Sequence, residues 1–427
     1  MTSGRLGHVV VVNDHGHING GAAKVAIESA LWLRERGLDV SFVAGTGPMD
    51  PRLETAGVEC VIIADSDVVN DSNRLRAIQR GLWNREAAKA LQQHLRRLDP
   101  GSTVVHLHTW SKALSPSIGP VLTRSRAAHV ATLHEYFLAC PNGAFYDYTA
   151  GQICTKRALG TACLSTQCDA RHFAHKAWRV ARGGLLWSAG HLPRDLREVI
   201  YISPKQRTII GDYFPEETRW HHLPNAVDPA PETRVPVEDN DVFLFIGRIS
   251  PEKGALVAAK AARLAGARIV FAGEGSDLEN VRAVHPGAEM LGWIGKEELA
   301  QWMRRARCLV FPSLWHEGYP LVVVDALRQG VPVLTSDATV ATAVIEHGVT
   351  GLHVPAGDVE AWADAMEQMT SDKTVQGMGE AAFRSGAILL GYDEYTDQLI
   401  GIYEEILARR NPSFEPASEP MEADQHA

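Results

Sequence analysis

Short apolar runs that end at glycine turns and pass into helix-length stretches recur in two series along this chain. No other feature restricts the fold as much. In the first series, residues 8–13 (His-Val-Val-Val-Val-Asn) read as a buried strand. They run through a short loop into Gly20-Gly21 and a helix over 22–36, closed by Gly37, before a second strand at 38–44. Strands at 60–64, 103–107, 128–133 and 199–203 continue the series, with one long helix spanning 73–98. A second series starts at 242–246 and adds strands at 268–272, 290–293, 308–311 and 331–335. Strand–turn–helix–strand units of this kind build open parallel sheets. Two successive series across 427 residues predict an α/β protein of two doubly wound, Rossmann-like domains facing each other across a cleft.

Composition narrows the function classes. The net charge of −9 speaks against a nucleic-acid-binding protein. No apolar run reaches the length of a membrane span, and the first residues lack the basic-then-apolar pattern of a signal peptide. The expectation is therefore a cytoplasmic protein. The six cysteines are too few for a disulfide scaffold, yet Cys140, Cys154, Cys163 and Cys168 fall within one segment, 139–184, that interrupts the αβ pattern. Four thiols this close suit a structural tetrahedral zinc, although the paired Cys-x-x-Cys knuckle is missing. Free or redox-paired thiols are the other reading.

Several residues sit where such sheets place chemistry, at the carboxyl ends of strands. His134 follows the strand at 128–133. Gly20 and Gly21 let a ligand approach a helix N-terminus, but they are not a full dinucleotide fingerprint. The loop from Gly247 to Gly254 carries Arg248 and Lys253, two cations ahead of a helix, as a diphosphate leaving group requires. In 311–325, Glu317-Gly318 occupies a turn just before a helix begun by Pro320, and Asp325 lies about two turns further on. Two carboxylates on one wall could grip an elongated polyhydroxylated ligand. The plainer alternative is a helix cap and a solvated acid. Over 171–187 a helix carries Arg171, His175, Arg179 and Arg182 on one face, beside Phe173 and Trp178. That is a solvated basic face or a peripheral membrane surface, and the first is the simpler.

The ordered set of Gly20-Gly21, His134, Pro224-Asn225, Gly247-Arg248 with Lys253, Gly273-Glu-Gly275 and Glu317-Gly-Tyr-Pro-Leu resembles the family 4 glycosyltransferases of the GT-B fold. The resemblance covers most of the chain. It implies an enzyme that transfers a sugar, with retention, from a UDP- or GDP-type nucleotide sugar to a glycan or lipid-linked acceptor, in polysaccharide biosynthesis, without a catalytic metal. It implies catalytic roles for His134, Glu317, Arg248 and Lys253. Gly20, Gly21, Asn225, Gly247, Gly273, Gly275, Trp293, Gly318, Tyr319, Leu321 and Asp325 would hold the donor. The family's second acid is a glutamate that binds the ribose; Asp325 is one methylene shorter. The cysteine segment is similar to an insertion in a subset of the family. Asp65-Ser-Asp67 and Asp239-Asn-Asp241, which look like metal motifs of another fold, lie outside the phosphate loops.

The implied organisation is an N-terminal acceptor-side domain over 1–223 and a donor domain over 224–390, joined near the Pro- and acid-rich 229–240. A helix over 391–410 packs back on the N-terminal domain, and 411–427 is a disordered tail. Two other readings compete: a nucleotide-sugar epimerase on the same architecture, and a non-catalytic nucleotide-sugar binding protein. Contact with a membrane surface is a further expectation; a nucleic-acid partner is not.

Overall fold

The structure, a computed structural model, describes residues 5–229, 231–386 and 389–410. The expected tail at 411–427 lies outside the described residues. Nine strands come from the first half: β1 (His8–His15), β2 (Asp39–Thr46), β3 (Glu59–Ala64), β4 (Thr103–Leu107), β5 (Ala128–Leu133), β6 (Tyr146–Asp147), β7 (Gln152–Ile153), β8 (Glu198–Tyr201) and β9 (Arg219–His222). Six come from the second: β10 (Val242–Ile246), β11 (Ile269–Ala272), β12 (Glu289–Gly292), β13 (Ala306–Phe311), β14 (Val333–Ser336) and β15 (Gly351–Val354). They form a seven-stranded sheet in the order β3-β2-β1-β4-β5-β8-β9 and a six-stranded sheet in the order β12-β11-β10-β13-β14-β15. Every pairing in both is parallel. Strand order reverses beside β1 and beside β10, so each sheet opens a crevice at those carboxyl ends. Val9 to Val12 are fully buried, because helices cover both faces of a parallel sheet. These are the two Rossmann-like domains of a GT-B fold.

The last helix, Tyr392–Arg410, crosses to the first domain. Tyr395, Leu399, Tyr403, Ile406 and Leu407 share one buried cluster with Val9, Val11, Ile27 and Leu33. The Tyr403 hydroxyl lies 2.6 Å from His106 Nδ1, and Trp32 stacks on Tyr392 with ring centres 4.5 Å apart. The first-domain core therefore includes residues from the far end of the chain.

Three local expectations are corrected, and two elements are added. The single helix over 73–98 is two, Arg74–Leu82 and Arg85–Leu95. Trp83 is extended between them, and the Asn84 side chain caps the second by accepting from the Ala87 amide at 3.1 Å. The stretch around 229–240 is not a free linker: Val235 and Val237 are buried in the second-domain core, and the Val235 amide donates to Gln329 O. The second domain also contains β15 and a helix, Asp372–Gly386, that the apolar pattern left unassigned. The basic helix, Phe173–Trp187, is not simply solvated, since Lys176 and Arg182 on it are buried.

Candidate active site

The turn between β13 and the helix Leu321–Gln329 carries Glu317 into the interdomain cleft. Glu317 is buried and fully engaged. Lys253 Nζ donates to its two carboxylate oxygens at 2.7 and 3.0 Å, Ser313 Oγ at 2.5 Å and Trp315 Nε1 at 2.8 Å. Burial pushes its pKa up, but the charge of Lys253 and these hydrogen bonds outweigh burial and hold it below the ordinary carboxylate range. Lys253 also lies over the Trp315 ring at 5.4 Å. The simple cap reading fails here, because the helix start at Pro320 has no side-chain cap. Asp325 behaves differently. Its Oδ1 accepts from Arg328 at 3.2 Å, and burial raises its pKa.

The glycine turns fit together by close approach. Gly254 sits at φ +70°, and a Cβ there would lie 2.0 Å from Pro312 O. A Cβ on Gly273 would lie 1.9 Å from Gly247 O, and one on Gly275 2.2 Å from Ile249 O. Only glycine lets the β10 and β11 turns nest in this way. The nest presents the helix Ala255–Ala265, with Gly254 at its N-terminus, beside Lys253. Arg248 is largely exposed, 3.5 Å from Glu252 Oε1. The turns thus offer a mostly buried cation, Lys253, and an exposed one, Arg248 paired with Glu252, beside a helix N-terminus.

The first domain closes the other wall. A Cβ on Gly318 would lie 2.6 Å from His134 O, the Tyr136 hydroxyl donates to Glu317 O at 3.4 Å, and Ser203 Oγ donates to Gly318 O at 3.4 Å. A Cβ on Gly21 would meet Leu321 Cδ1 at 3.3 Å, whereas Gly20 faces open space. The His134 ring stacks on His108, with His108 Nδ1 2.9 Å from His134 Nε2. Burial lowers the pKa of His134 to about 4, so the ring is neutral at pH 7. His108 was not singled out from the sequence. The signal was there: His106-Leu-His108 ends the strand next to β5. Glu135 is the other residue of weight; its Oε1 accepts from Ser111 Oγ at 3.0 Å, and burial raises its pKa to about 7.

The structure thus brings together His134, Lys253, Glu317, Gly318, Leu321 and Gly21 from both domains. Asn225 is buried with Oδ1 lacking a partner, and burial pushes the Tyr319 hydroxyl up to about 12. Trp293 is 80% exposed. The four cysteines are not gathered into a metal site. Among the described residues no group of three or more His, Cys, Asp or Glu is placed to hold a metal ion. Instead the buried Lys176 donates to Cys163 Sγ at 3.4 Å and Cys168 Sγ at 3.0 Å, while Cys140 Sγ donates to Asn142 Oδ1 at 3.1 Å. Among the described residues no helix is long and apolar enough to cross a membrane.

Residues 19–231 match the family profile of Glycosyltransferase Family 4, and residues 240–372 match that of Glycosyl transferases group 1. The chain is 29% identical over 185 residues to the alpha-D-kanosaminyltransferase of Streptomyces kanamyceticus, covering 40% of this chain and 48% of that protein. It is 30% identical over 188 residues to the D-inositol 3-phosphate glycosyltransferase of Mycobacterium tuberculosis, covering 40% of this chain and 39% of that one. In each case the match spans less than half of the relative's own length. Among solved structures, Anabaena Alr3699/HepE in complex with UDP-glucose superposes with a TM-score of 0.64 at 16% identity, covering 92% of this chain and 98% of that one.

Proposed function

This chain belongs to the family 4 glycosyltransferases, and from that premise we propose that it moves a sugar, with retention, from a nucleotide diphosphate sugar to a glycan or lipid-linked acceptor of polysaccharide biosynthesis. The observation that carries the reading is the Lys253–Glu317 pair, held in the cleft opposite His134 and beside the nested glycine turns. The fold of a UDP-glucose-binding structure supports a donor of the uridine type.

In this reading the diphosphate lies on the Gly247 to Gly254 turn. Arg248, exposed and 3.5 Å from Glu252, can turn to reach it. Lys253 has three N–H donors and gives two to Glu317, so one remains for a phosphate oxygen. Charge that develops on the leaving diphosphate meets two cations and a helix N-terminus in a partly dry cleft, where they act most strongly. Glu317, kept ionised by its donors, accepts from the hydroxyls of the donor sugar. His134 is neutral and offers a hydrogen bond to the transferred sugar without adding positive charge near the reacting carbon. The acceptor hydroxyl attacks from the face that the diphosphate leaves, and its proton passes to the departing phosphate oxygen. No protein nucleophile and no metal ion take part.

Hydrolysis of UDP-glucose in the absence of acceptor tests this directly. Proton NMR of freshly released sugar is expected to show the α anomer first, with Glu317→Ala slower by at least about tenfold. Release of the β anomer would overturn retention. Unchanged turnover in Glu317→Ala would overturn the site.

A further inference from the structure

A cavity of about 690 Å³ lies between the helices Arg74–Leu82 and Phe173–Trp187 of the first domain. Its apolar wall is made by Val69, Ile78, Phe137 and Trp178, and Lys112, Arg171 and Arg182 also line it. No aspartate or glutamate does.

Arg182 makes this cavity unusual. It is buried, framed by the rings of Phe137 at 4.9 Å, Trp178 at 5.0 Å and Trp110 at 5.7 Å. Its NH1 donates to Ser111 O at 2.6 Å. Among the described residues no carboxylate lies within ion-pair distance of it, nor of Lys112 or Arg171. Two carboxylates act on it from a distance: Glu135, which burial pushes toward its neutral form and which accepts from Ser111 Oγ, and Asp14, which is taken up by the backbone amides of Lys112, Ala113 and Leu114 at 2.8 to 3.1 Å. A buried guanidinium without an anion is costly, and aromatic faces offset only part of that cost. A phosphate in the cavity would complete it with charge-assisted hydrogen bonds.

The mouth is as apolar as the interior is basic. Val69 and Ile78 are about half exposed, and Leu75 and Phe173 on the flanking helices are also exposed. The inner end reaches the reaction centre: Ser111 lines the cavity and donates to Glu135, the residue after His134.

We propose that this cavity binds the acceptor by its phosphate and tail, and that the acceptor is a glycan on a polyisoprenyl phosphate or diphosphate. The phosphate meets Arg182, Lys112 and Arg171, and the isoprenoid chain runs out over Ile78, Val69 and Trp178. This assignment rests on the glycosyltransferase reading and names the acceptor class that reading left open.

The test uses the whole protein and farnesyl phosphate kept below its micelle concentration, followed by tryptophan fluorescence, with UDP binding measured on the same samples. Farnesyl phosphate is expected to bind, with farnesol and inorganic phosphate each at least about tenfold weaker. Ile78→Asp and Arg182→Gln are expected to weaken farnesyl phosphate about tenfold and leave UDP affinity unchanged. Should Arg182→Gln not fold, Arg171→Ala replaces it with the same expectation. Equal binding of farnesol and farnesyl phosphate, or affinity unchanged in Ile78→Asp and Arg171→Ala, would overturn the proposal. So would uptake onto phosphatidylglycerol vesicles without binding of the free phosphate, which marks a bilayer-docking face instead. UDP affinity of the wild-type protein reports on the donor reading alone. Failure of the wild-type protein to bind farnesyl phosphate while it binds UDP therefore removes only the acceptor assignment.

Discussion

Glu317 and Lys253 are each mostly buried and each is the other's counter-charge. Removing one leaves the other desolvated and unpaired, which costs about 3–5 kcal/mol in such settings. Lys253→Met is thus expected to lower unfolding free energy by roughly that amount. Urea denaturation checks it, and a change below about 1 kcal/mol would mean that Ser313 and Trp315 suffice to hold the carboxylate. Burial lowers the pKa of several histidines below 6.5: His106 to about 3, and His129, His134 and His316 to about 4. Their contribution to stability is complete above the unfolded-state value and is lost as pH falls from there toward the folded values. Glu317, with its lowered pKa, adds a loss of the same sign at lower pH. Glu135, raised to about 7, opposes them because its folded state holds the proton. Histidines outnumber it, so stability is expected to fall between pH 6.5 and 5 by more than about 1.4 kcal/mol per pH unit, read from urea midpoints. At this scale the sequence was partly legible. Glu317, Lys253 and His134 stood at the ends of apolar runs. His108 stood at such an end too and was passed over, whereas the roles of Ser313 and Trp315 depend on which side chains meet around the carboxylate.

Turns decide the element scale. Gly254 has both a positive φ and the Pro312 carbonyl where a Cβ would go. Gly254→Ala is expected to push the β10 turn off Pro312 and weaken UDP binding by about tenfold or more, read calorimetrically. Gly266 is a control: it ends the same helix at φ +62° with open space around it. Gly266→Ala is expected to cost about 1–2 kcal/mol of stability and leave UDP binding alone. Equal UDP affinity in both variants would contradict the assignment of the turn. The parallel strands were readable because, buried on both faces, they appear as unbroken apolar runs. The break at Trp83 was not readable, since the helical pattern continues on both sides and only the Asn84 cap marks it. The cysteine segment left two readings open, a structural zinc and free or redox-paired thiols, for a related reason. Spacing in sequence could not reveal that Lys176, from the helix beyond, stands among the thiols.

Over the whole molecule, the chain closes on itself. The helix Tyr392–Arg410 leaves the second domain and completes the core of the first. Tyr403 is fully buried there and carries the hydrogen bond to His106 Nδ1. Tyr403→Ala is expected to destabilise the first domain by about 3–5 kcal/mol, and Tyr403→Phe by about 1–3 kcal/mol, in thermal or urea melts. A neutral Tyr403→Ala would mean that the helix is an appendage. The returning helix also packs against the first helix, Gly21–Glu35, whose N-terminus meets Leu321 across the cleft. One element is therefore shared between core packing and the donor wall. The two-domain plan followed from the doubled strand–helix series, whereas the basic cavity could not be read from one helix, because its walls come from four separate stretches.

In the proposed mechanism the donor site, built on Arg248, Lys253 and Glu317, works without a metal ion. The most direct measurement is calorimetric binding of UDP and GDP to the purified protein in EDTA, for wild type and for Arg248→Ala. Arg248 is exposed, so its loss leaves the fold intact. One nucleotide is expected to bind in EDTA, and Arg248→Ala to weaken it by about tenfold. Binding that requires a divalent ion, or equal affinity in the two proteins, would contradict this mechanism.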